Sequence, residues 1–361
     1  MKKFKLFALI AVLTTCLFNP YLLFADTVTP KWYDNISLKG DARLRWDGIY
    51  KNPGNDNERE RFRVRLSLST TISENIELFL RFETGIDDPV SSNQTFGEST
   101  SGKEIGIGRA YVNWKVNEKL QIMGGKMKMP WFTAGENNLL WDNDLNPEGI
   151  FVSYEVDSTF FNGAHIIIDQ DLERNDTILQ SFQAGKEFRL NNTTSMIAGI
   201  GYHGYKKAYG NLPFYKAKGN SLDLDGNYLF NYKLYEFFSE IKTELAQLPV
   251  ILYLEVINNS AVTDENKAHS WGIKVGSSKK RGDKQFSYTY QNTEKNAVLG
   301  SFSDSDFAGG HTDSKGHFIR TRYTLKDNMT LSGAFIVSNY KPSKTERIDY
   351  NRVQIDLEFK F

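Results

Sequence analysis

The chain has 361 residues, with 44 basic and 44 acidic side chains for a formal net charge of zero, 14% aromatic residues and 28 glycines. That balance offers no net field to a nucleic acid, so a nucleic-acid partner is not expected. Past the N-terminal stretch no run of eighteen apolar residues is available for a transmembrane helix, so a membrane role would have to be carried by strands.

The first residues are Lys2, Lys3 and Lys5, then an apolar run over residues 6–18, then Asn19, Pro20 and the small Ala25. This order reads as a secretory signal peptide over residues 1–25, cleaved after Ala25, and leaves residues 26–361 as a single domain. An uncleaved anchor fits less well because Thr14, Thr15, Asn19 and Pro20 interrupt the span. Cys16, the only cysteine, lies inside this leader, and Leu13, Thr14 and Thr15 before it make a poor lipoprotein cleavage box. A chain without the leader has no disulfide framework and no thiolate chemistry.

Beyond the leader, Ile36, Leu38, Gly40, Ala42, Leu44 and Trp46 alternate with Ser37, Lys39, Asp41, Arg43, Arg45 and Asp47. Period-two alternation of this kind makes a strand with one oily and one charged face. After a polar loop containing Pro53 and Gly54, Phe62, Val64, Leu66 and Leu68 alternate with Arg61, Arg63, Arg65 and Ser67. A tight turn over residues 73–75 leads to a third strand, with Ile76, Leu78, Leu80 and Phe82 on one face and Arg81 and Glu83 on the other. A polar loop over 87–103 precedes a strand through Arg109, Ala110, Tyr111, Val112, Asn113 and Trp114. The next strand, expected over 120–129, ends on Lys126 and Lys128, and the long segment 130–149 follows. Further strands are expected near 150–156, 161–169, 180–190 and 196–202.

Counted one by one, the candidates give seventeen strands. Bacterial outer-membrane barrels have an even number, with short turns on the periplasmic side and long loops outside. The phase of long and short connections breaks between residues 221 and 258. It recovers if 222–245 is a loop end plus one long strand, with the turn at 246–249. Strands near 250–258, 271–275, 286–291, 317–325 and 329–337 follow. On the last one, Val353, Ile355, Leu357, Phe359 and Phe361 alternate with Arg352, Gln354, Asp356, Glu358 and Lys360. The expectation is an all-β fold: a closed antiparallel transmembrane β-barrel of sixteen strands, with eighteen as the alternative count. A soluble sheet could show the same alternation on any one strand, but no amphipathic helix is present to cover a second layer. Closure removes the edges that lipid cannot satisfy, and sixteen strands leave room for an aqueous channel.

Three stretches carry a family resemblance. They are Gly85-Ile86-Asp87-Asp88-Pro89-Val90 with Asn93-Gln94, the run from Leu139 to Gly149 (LLWDNDLNPEG), and Asp304-Ser305-Asp306-Phe307-Ala308-Gly309-Gly310 with Thr312-Asp313 and Lys315-Gly316-His317. Over most of residues 36–361 the chain resembles the Putative porin family of Gram-negative outer membranes, related in character to the phosphate-selective porins. The resemblance implies a β-barrel pore in the outer membrane, with lipid outside it and small hydrophilic solutes inside. Trimers are common among similar porins, so a homotrimer is an expectation. Family membership does not fix the solute. Lys126 and Lys128 depart from the more apolar approach to Pro130 expected of the family.

If the oily faces meet lipid, Arg43, Arg45, Arg61, Arg63, Arg65, Arg81 and Arg109 face the lumen on consecutive strands, joined by Lys126 and Lys128. Rings of Arg or Lys in a pore favour anions, and guanidinium matches phosphate or carboxylate oxygens in pairs. Asp41, Glu77 and Glu83 share that wall, so a structural ladder of ion pairs is the competing reading. The expectation is a weak anion preference without a dedicated phosphate site.

The 130–149 segment carries Trp131 at one end and Asp142, Asp144 and Glu148 at the other. Two readings stand for it: a constriction folded into the lumen, or a packed external loop. Asp142, Asp144, Asn146 and Glu148 alternate as calcium ligands do, but the central Gly and the distant bidentate Glu of an EF-hand are missing, and no metal or cofactor is expected. Catalysis finds little support: His165, His203, His269, His311 and His317 sit in no HExxH and beside no nucleophile elbow. Ser287 or Ser332 beside His317 would be the residues of an outer-membrane lipid enzyme, the runner-up function. A structural or adhesive barrel plugged by its own loops is the third.

Overall fold

The computed structural model describes residues 35–97, 102–170, 176–343 and 345–361. The signal peptide expected over residues 1–25, and its expected cleavage after Ala25, lie outside the described residues. Residues 36–361 form one compact unit. The strands run in chain order as β1 (Ser37–Asn52), β2 (Asn57–Ser73), β3 (Ile76–Thr84), β4 (Gln94–Thr95), β5 (Ile105–Lys115), β6 (Leu120–Lys126), β7 (Glu148–Val156), β8 (Thr159–Asp169) and β9 (Thr177–Arg189). They continue as β10 (Ser195–Lys206), β11 (Tyr232–Leu245), β12 (Leu248–Asn259), β13 (Lys267–Gly276), β14 (Lys284–Thr293), β15 (Ser314–Lys326), β16 (Met329–Tyr340) and β17 (Ile348–Lys360).

Each long strand pairs antiparallel with its neighbours, and β17 returns to pair with β1 from Asp41↔Lys360 to Asn52↔Asp349, so the sheet is closed. β4 is a two-residue bridge held against β2 through Arg61↔Thr95 and Phe62↔Gln94. Setting it aside leaves sixteen barrel strands, the count obtained from loop phase. The stretch that broke that phase resolves as expected, since β11 runs unbroken and turns at Ala246 and Gln247. Both turn residues adopt left-handed backbone angles, φ 49° and 65°, as do Asp157 and Ser158 between β7 and β8. Two-residue turns of this hand match the twist of the strands they join. Among the described residues no helix is long and apolar enough to cross a membrane, which says nothing against crossing by strands.

The wall is inside out. Leu38, Leu44, Val64, Phe182, Ile200, Tyr235, Trp271 and Ile355 are exposed on its outer face, while Asp47, Ser181, His203, Glu255, Arg352 and Gln354 are buried within it. A water-soluble sheet could not keep that many large apolar side chains in water, but hydrocarbon accepts them. The interior is also filled unevenly. Met127, Trp131, Leu139, Leu140, Trp141 and Leu145 pack with Tyr228, Val298, Leu299 and Phe302 against inward side chains of β7 to β13, among them Phe151, Leu179, Tyr205, Leu234 and Ile257. Three long connections thus bury one oily cluster on one side of the barrel. The side formed by β1 to β5 and β14 to β17 carries the charged residues, with a smaller oily cluster of Ile49, Phe307, Ile336, Tyr340 and Tyr350 on β1, β16, β17 and the loop before β15.

Candidate functional site

Strand register explains how the arginines gather. β1 and β2 place Arg43 opposite Arg63, Arg45 opposite Arg61 and Asp41 opposite Arg65, and β3 and β5 place Arg81 opposite Arg109. Directly paired residues point to the same face, and these share the face of Asp47 and Ser67, away from exposed Leu44 and Val64. Like charges opposite one another destabilise a sheet unless something answers them.

Carboxylates answer half of the row. Arg45 Nε and Nη2 each donate to Asp356 at 2.7 Å, a bidentate fork, and its Nη1 lies 3.4 Å from Asp306. Arg63 and Arg65 share Asp41 at 2.9 and 2.8 Å, and approach Asp144 at 3.8 and 3.5 Å. Arg43 donates to Asn93 at 2.6 Å and stands 3.8 Å from Glu358. Arg352, on the last strand, forks onto buried Asp47 at 2.7 and 2.9 Å and reaches Asp306 at 3.1 Å. Among the described residues Arg61, Arg81, Arg109, Arg320 and Arg322 are seen to contact only neutral partners. Arg61 donates to the Asn93 carbonyl at 2.9 Å, Arg81 to Ser67 at 3.0 Å, and Arg109 to Asn146 at 2.7 Å. Arg322 donates to Gln285 at 3.3 Å, and Arg320 lies 4.7 Å over the Phe318 ring. The ladder of pairs and the free cationic row therefore both exist, on adjoining rungs.

Opposite this wall lies the segment 127–147. Met127 N donates to the Pro147 carbonyl at 2.9 Å, so the chain leaves the wall there and returns at the same point. β6 thus ends at Lys126, three residues before the expected end. Gln183 clasps Phe132 through both its backbone groups, at 3.0 and 2.9 Å. Further along, Glu240 accepts from Gly135 N at 2.6 Å, Glu255 accepts from the Asn137 amide, and Lys274 pairs with Glu136 at 2.8 Å. Gly135 is required here: its φ is +60°, and a Cβ would sit 2.1 Å from the Tyr253 ring. Past it, Trp141 Nε1 donates to Tyr205 at 3.0 Å, and Asp144 reaches the arginines of β2. The segment therefore crosses the interior from β11–β13 to β2. It lies inside the barrel, a course that its sequence alone left open.

The other candidate residues divide by position. Trp131 is buried in the oily cluster, edge-on to Phe151 and His203 at 5.6 Å. Asp142 is buried and accepts from the backbone N of Asp144 and Ser305, both at 2.8 Å. Burial, then Asp304 and Asp144 nearby, push its carboxyl well above the usual carboxylate range. Asp144 is half-buried, and loss of water alone would raise it, but Arg63, Arg65 and Arg43 hold it low and charged. Lys128 lies on the inward segment and lines the charged cavity. Lys126 and Glu148 need correction: they pair with each other at 3.1 Å and with Ala110 and exposed Ile167 by register, so both stand on the outer face of the wall. The reason is parity, since Ile122, Gly124 and Lys126 share one face of β6 and only its odd positions turn inward.

Calcium-like alternation does not converge either. Asp144 turns to Ser92 and the arginines, Asn146 to Arg109 and Glu83, and Glu148 outward. Ser287 faces inward opposite Arg320, while His317 is outside, bonded to Tyr288 at 2.8 Å, so these two do not meet. Ser181, His203 and Glu236 do form a hydrogen-bonded chain, with Ser181 on Nδ1 and Glu236 on Nε2 at 3.1 Å. Ser181 and His203 are fully buried, so the trio braces the inward segment and offers no reachable nucleophile. Sequence reasoning missed Arg320, Arg322, Lys274, Glu136 and Arg352 as members of the charged interior. Arg320 and Arg322 alternate with Ile319, Thr321 and Tyr323, the same signal that found β1 and β2.

The comparisons agree with this geometry. A family model described as "Putative porin" matches residues 49–220 and 210–361. The chain belongs to that family. Among solved structures it is similar to OprB of Pseudomonas putida, at 10% identity over 91% of this chain and 95% of that one, TM-score 0.61. It is also similar to a triple mutant of the Rhodopseudomonas blastica porin, at 11% identity over 90% and 100%, TM-score 0.53. A third is OmpT of Vibrio cholerae lacking loop L8, an outer membrane protein, at 12% identity over 91% and 100%, TM-score 0.51. No curated protein matches the chain. At such identities the solved structures show the fold, and the family makes the chain an outer-membrane porin.

Proposed function

We propose that this porin passes small hydrophilic solutes by passive diffusion along its arginine wall, with a weak preference for anions. The observation that carries the reading is the uneven filling of the barrel. Oily packing closes the β7–β13 side, and a charged cavity of about 500 Å³ remains between the inward segment and the wall. Arg43, Arg45, Arg63, Arg65, Arg81, Arg109, Arg320, Arg322, Lys128, Lys274 and Lys360 line it, against Glu136, Asp142, Asp144, Asp304, Asp306 and Glu358. Cations thus outnumber acids, while the carboxylates on facing loops set a field across the path, which supports preference short of exclusion. Arg61 lies one rung nearer the long loops. Lys126 and Glu148 are not part of this lining.

Within this reading the 127–147 segment is the constriction, with Asp144 at its tip and Trp131 as its anchor. Residues 1–25 would be removed on export, which N-terminal sequencing of the outer-membrane protein reads directly. The family resemblance supports a homotrimer, to be read by cross-linking in mild detergent. Among the described residues the Ser181–His203–Glu236 chain is buried, and Ser287 faces the interior opposite Arg320 with His317 outside, so the lipid-enzyme reading gains no support. Swelling of proteoliposomes tests the proposal. Small neutral sugars should enter, organic anions of the same size faster and cations more slowly, with no release of fatty acid. No swelling with any solute would leave the plugged barrel in its place.

A further inference from the structure

At the long-loop end of the interior a cavity of about 230 Å³ is lined by Lys51, Arg59, Arg61, Lys216, Lys218 and His311, with Asp88 as its acidic side chain. Arg59 is committed to Asp47 at 2.9 Å. The rest have no carboxylate within ion-pairing distance among the described residues. Lys218 Nζ donates to the Gly309 carbonyl at 2.7 Å, Lys51 lies 5.8 Å over the Tyr350 ring, and Lys216 lies 4.8 Å over Tyr215. Two nitrogens here, Arg61 Nε and His311 Nδ1, are buried with no hydrogen-bond partner among the described residues. A buried polar atom left unpaired costs free energy, so a cavity whose lining carries two of them beside several cations is incomplete as it stands. The cations also feel one another. Burial and then Lys216 and Lys51 lower Lys218, and burial and then Lys218 and Lys51 lower His311 to about 4.

We propose that this cavity binds a small oxyanion of the phosphate class, either orthophosphate or the phosphate monoester of a diffusing solute. A guanidinium, lysine ammoniums and an imidazole line the cavity from β1, β2 and two loops, and a tetrahedral anion has oxygens to meet donors from several directions where chloride has none. The wall residues involved face inward by register, Lys51 with Tyr350 and Arg61 with Arg45. Phosphates of lipid headgroups lie beyond the wall, so a free solute is the source. The site sits beside the proposed path but does not require that the path conduct.

Calorimetric titration of inorganic phosphate into the detergent-refolded full chain, near neutral pH and at low salt, tests it. Two variants accompany the parent: Arg61→Gln, and the double variant Lys51→Gln/Lys216→Gln, which removes ammoniums and leaves every backbone bond in place. Saturable binding is expected, weakened about tenfold or more in each variant, with barrel content by circular dichroism unchanged. Micelles of lipid A should not compete. Absence of saturable binding, equal affinity in parent and double variant, or displacement of phosphate by lipid A would overturn the proposal. Since the readout needs no bilayer, loss of binding and loss of conduction are told apart.

Discussion

The rungs of the arginine wall that lack acids should control ion preference, and Arg81 and Arg109 are the pair to remove. Each donates its hydrogen bond to a neutral partner, Ser67 or Asn146, while buried Glu83 feels both as nearby positive charge, so barrel content is checked by circular dichroism before conductance is read. In a wet lumen one charge acts on an ion about 6 Å away by roughly 0.7 kcal/mol, so the double variant Arg81→Gln/Arg109→Gln should cost a passing anion about 1.4 kcal/mol. That is about a tenfold fall in anion permeability, and cations are eased by a similar factor, so the anion over cation ratio should fall by about a hundredfold. Asp144→Asn should move the ratio the other way by roughly half as much on the energy scale, because Asp144 is held charged by Arg63, Arg65 and Arg43. Reversal potentials in planar bilayers under a salt gradient read both. They should be taken near 0.1 M, where the Debye length is about 10 Å, since at 1 M it is about 3 Å and the effect would be screened. Unchanged reversal potentials in both variants, with channels still opening, would refute the assignment of these rungs to the conducting path.

Other consequences follow from single contacts. Gly135→Ala forces a Cβ into the Tyr253 ring at a positive φ, so it should displace the inward segment at a cost of about 1–3 kcal/mol and change single-channel conductance and its noise. Asp47→Asn takes the buried carboxylate from Arg352 and Arg59, and should lower stability by about 3–5 kcal/mol, read as a fall in the heat-modification temperature in detergent gels. His311 has a folded pKa depressed to about 4 from an ordinary 6.5, so the unfolded chain takes up its proton first as pH falls. Its contribution is complete above about pH 6.5 and is lost progressively toward pH 4. The melting difference between parent and His311→Gln should therefore change across that window and be flat above it.

How legible this was differs between wall and filling. Period-two alternation exposed β1, β2, β3 and β17 because one face must meet hydrocarbon and the other water, and loop phase recovered the unbroken β11. The same parity, applied to Ile122, Gly124 and Lys126, would have turned Lys126 outward; its charge drew it to the wrong side. The inward course of 127–147 depends on partners far away in sequence, such as Gln183, Glu240 and Glu255, and no local pattern names them. A faint signal existed in the apolar triplets Leu139-Leu140-Trp141 and Ala297-Val298-Leu299, since oily runs inside polar loops must be buried somewhere. Which arginines are paired could not be read either, because Asp306 and Asp144 reach them from loops.

Neighbouring positions on β3 offer the sharpest check that water runs along the arginine wall. Apart from Cys16 the chain has no cysteine, so Arg81→Cys and Leu80→Cys each introduce one thiol on a known face. In planar bilayers a charged methanethiosulfonate added to open channels should step down the current through Arg81→Cys and leave Leu80→Cys unaffected. Block at Leu80→Cys with none at Arg81→Cys would mean that the arginine row does not face the conducting water.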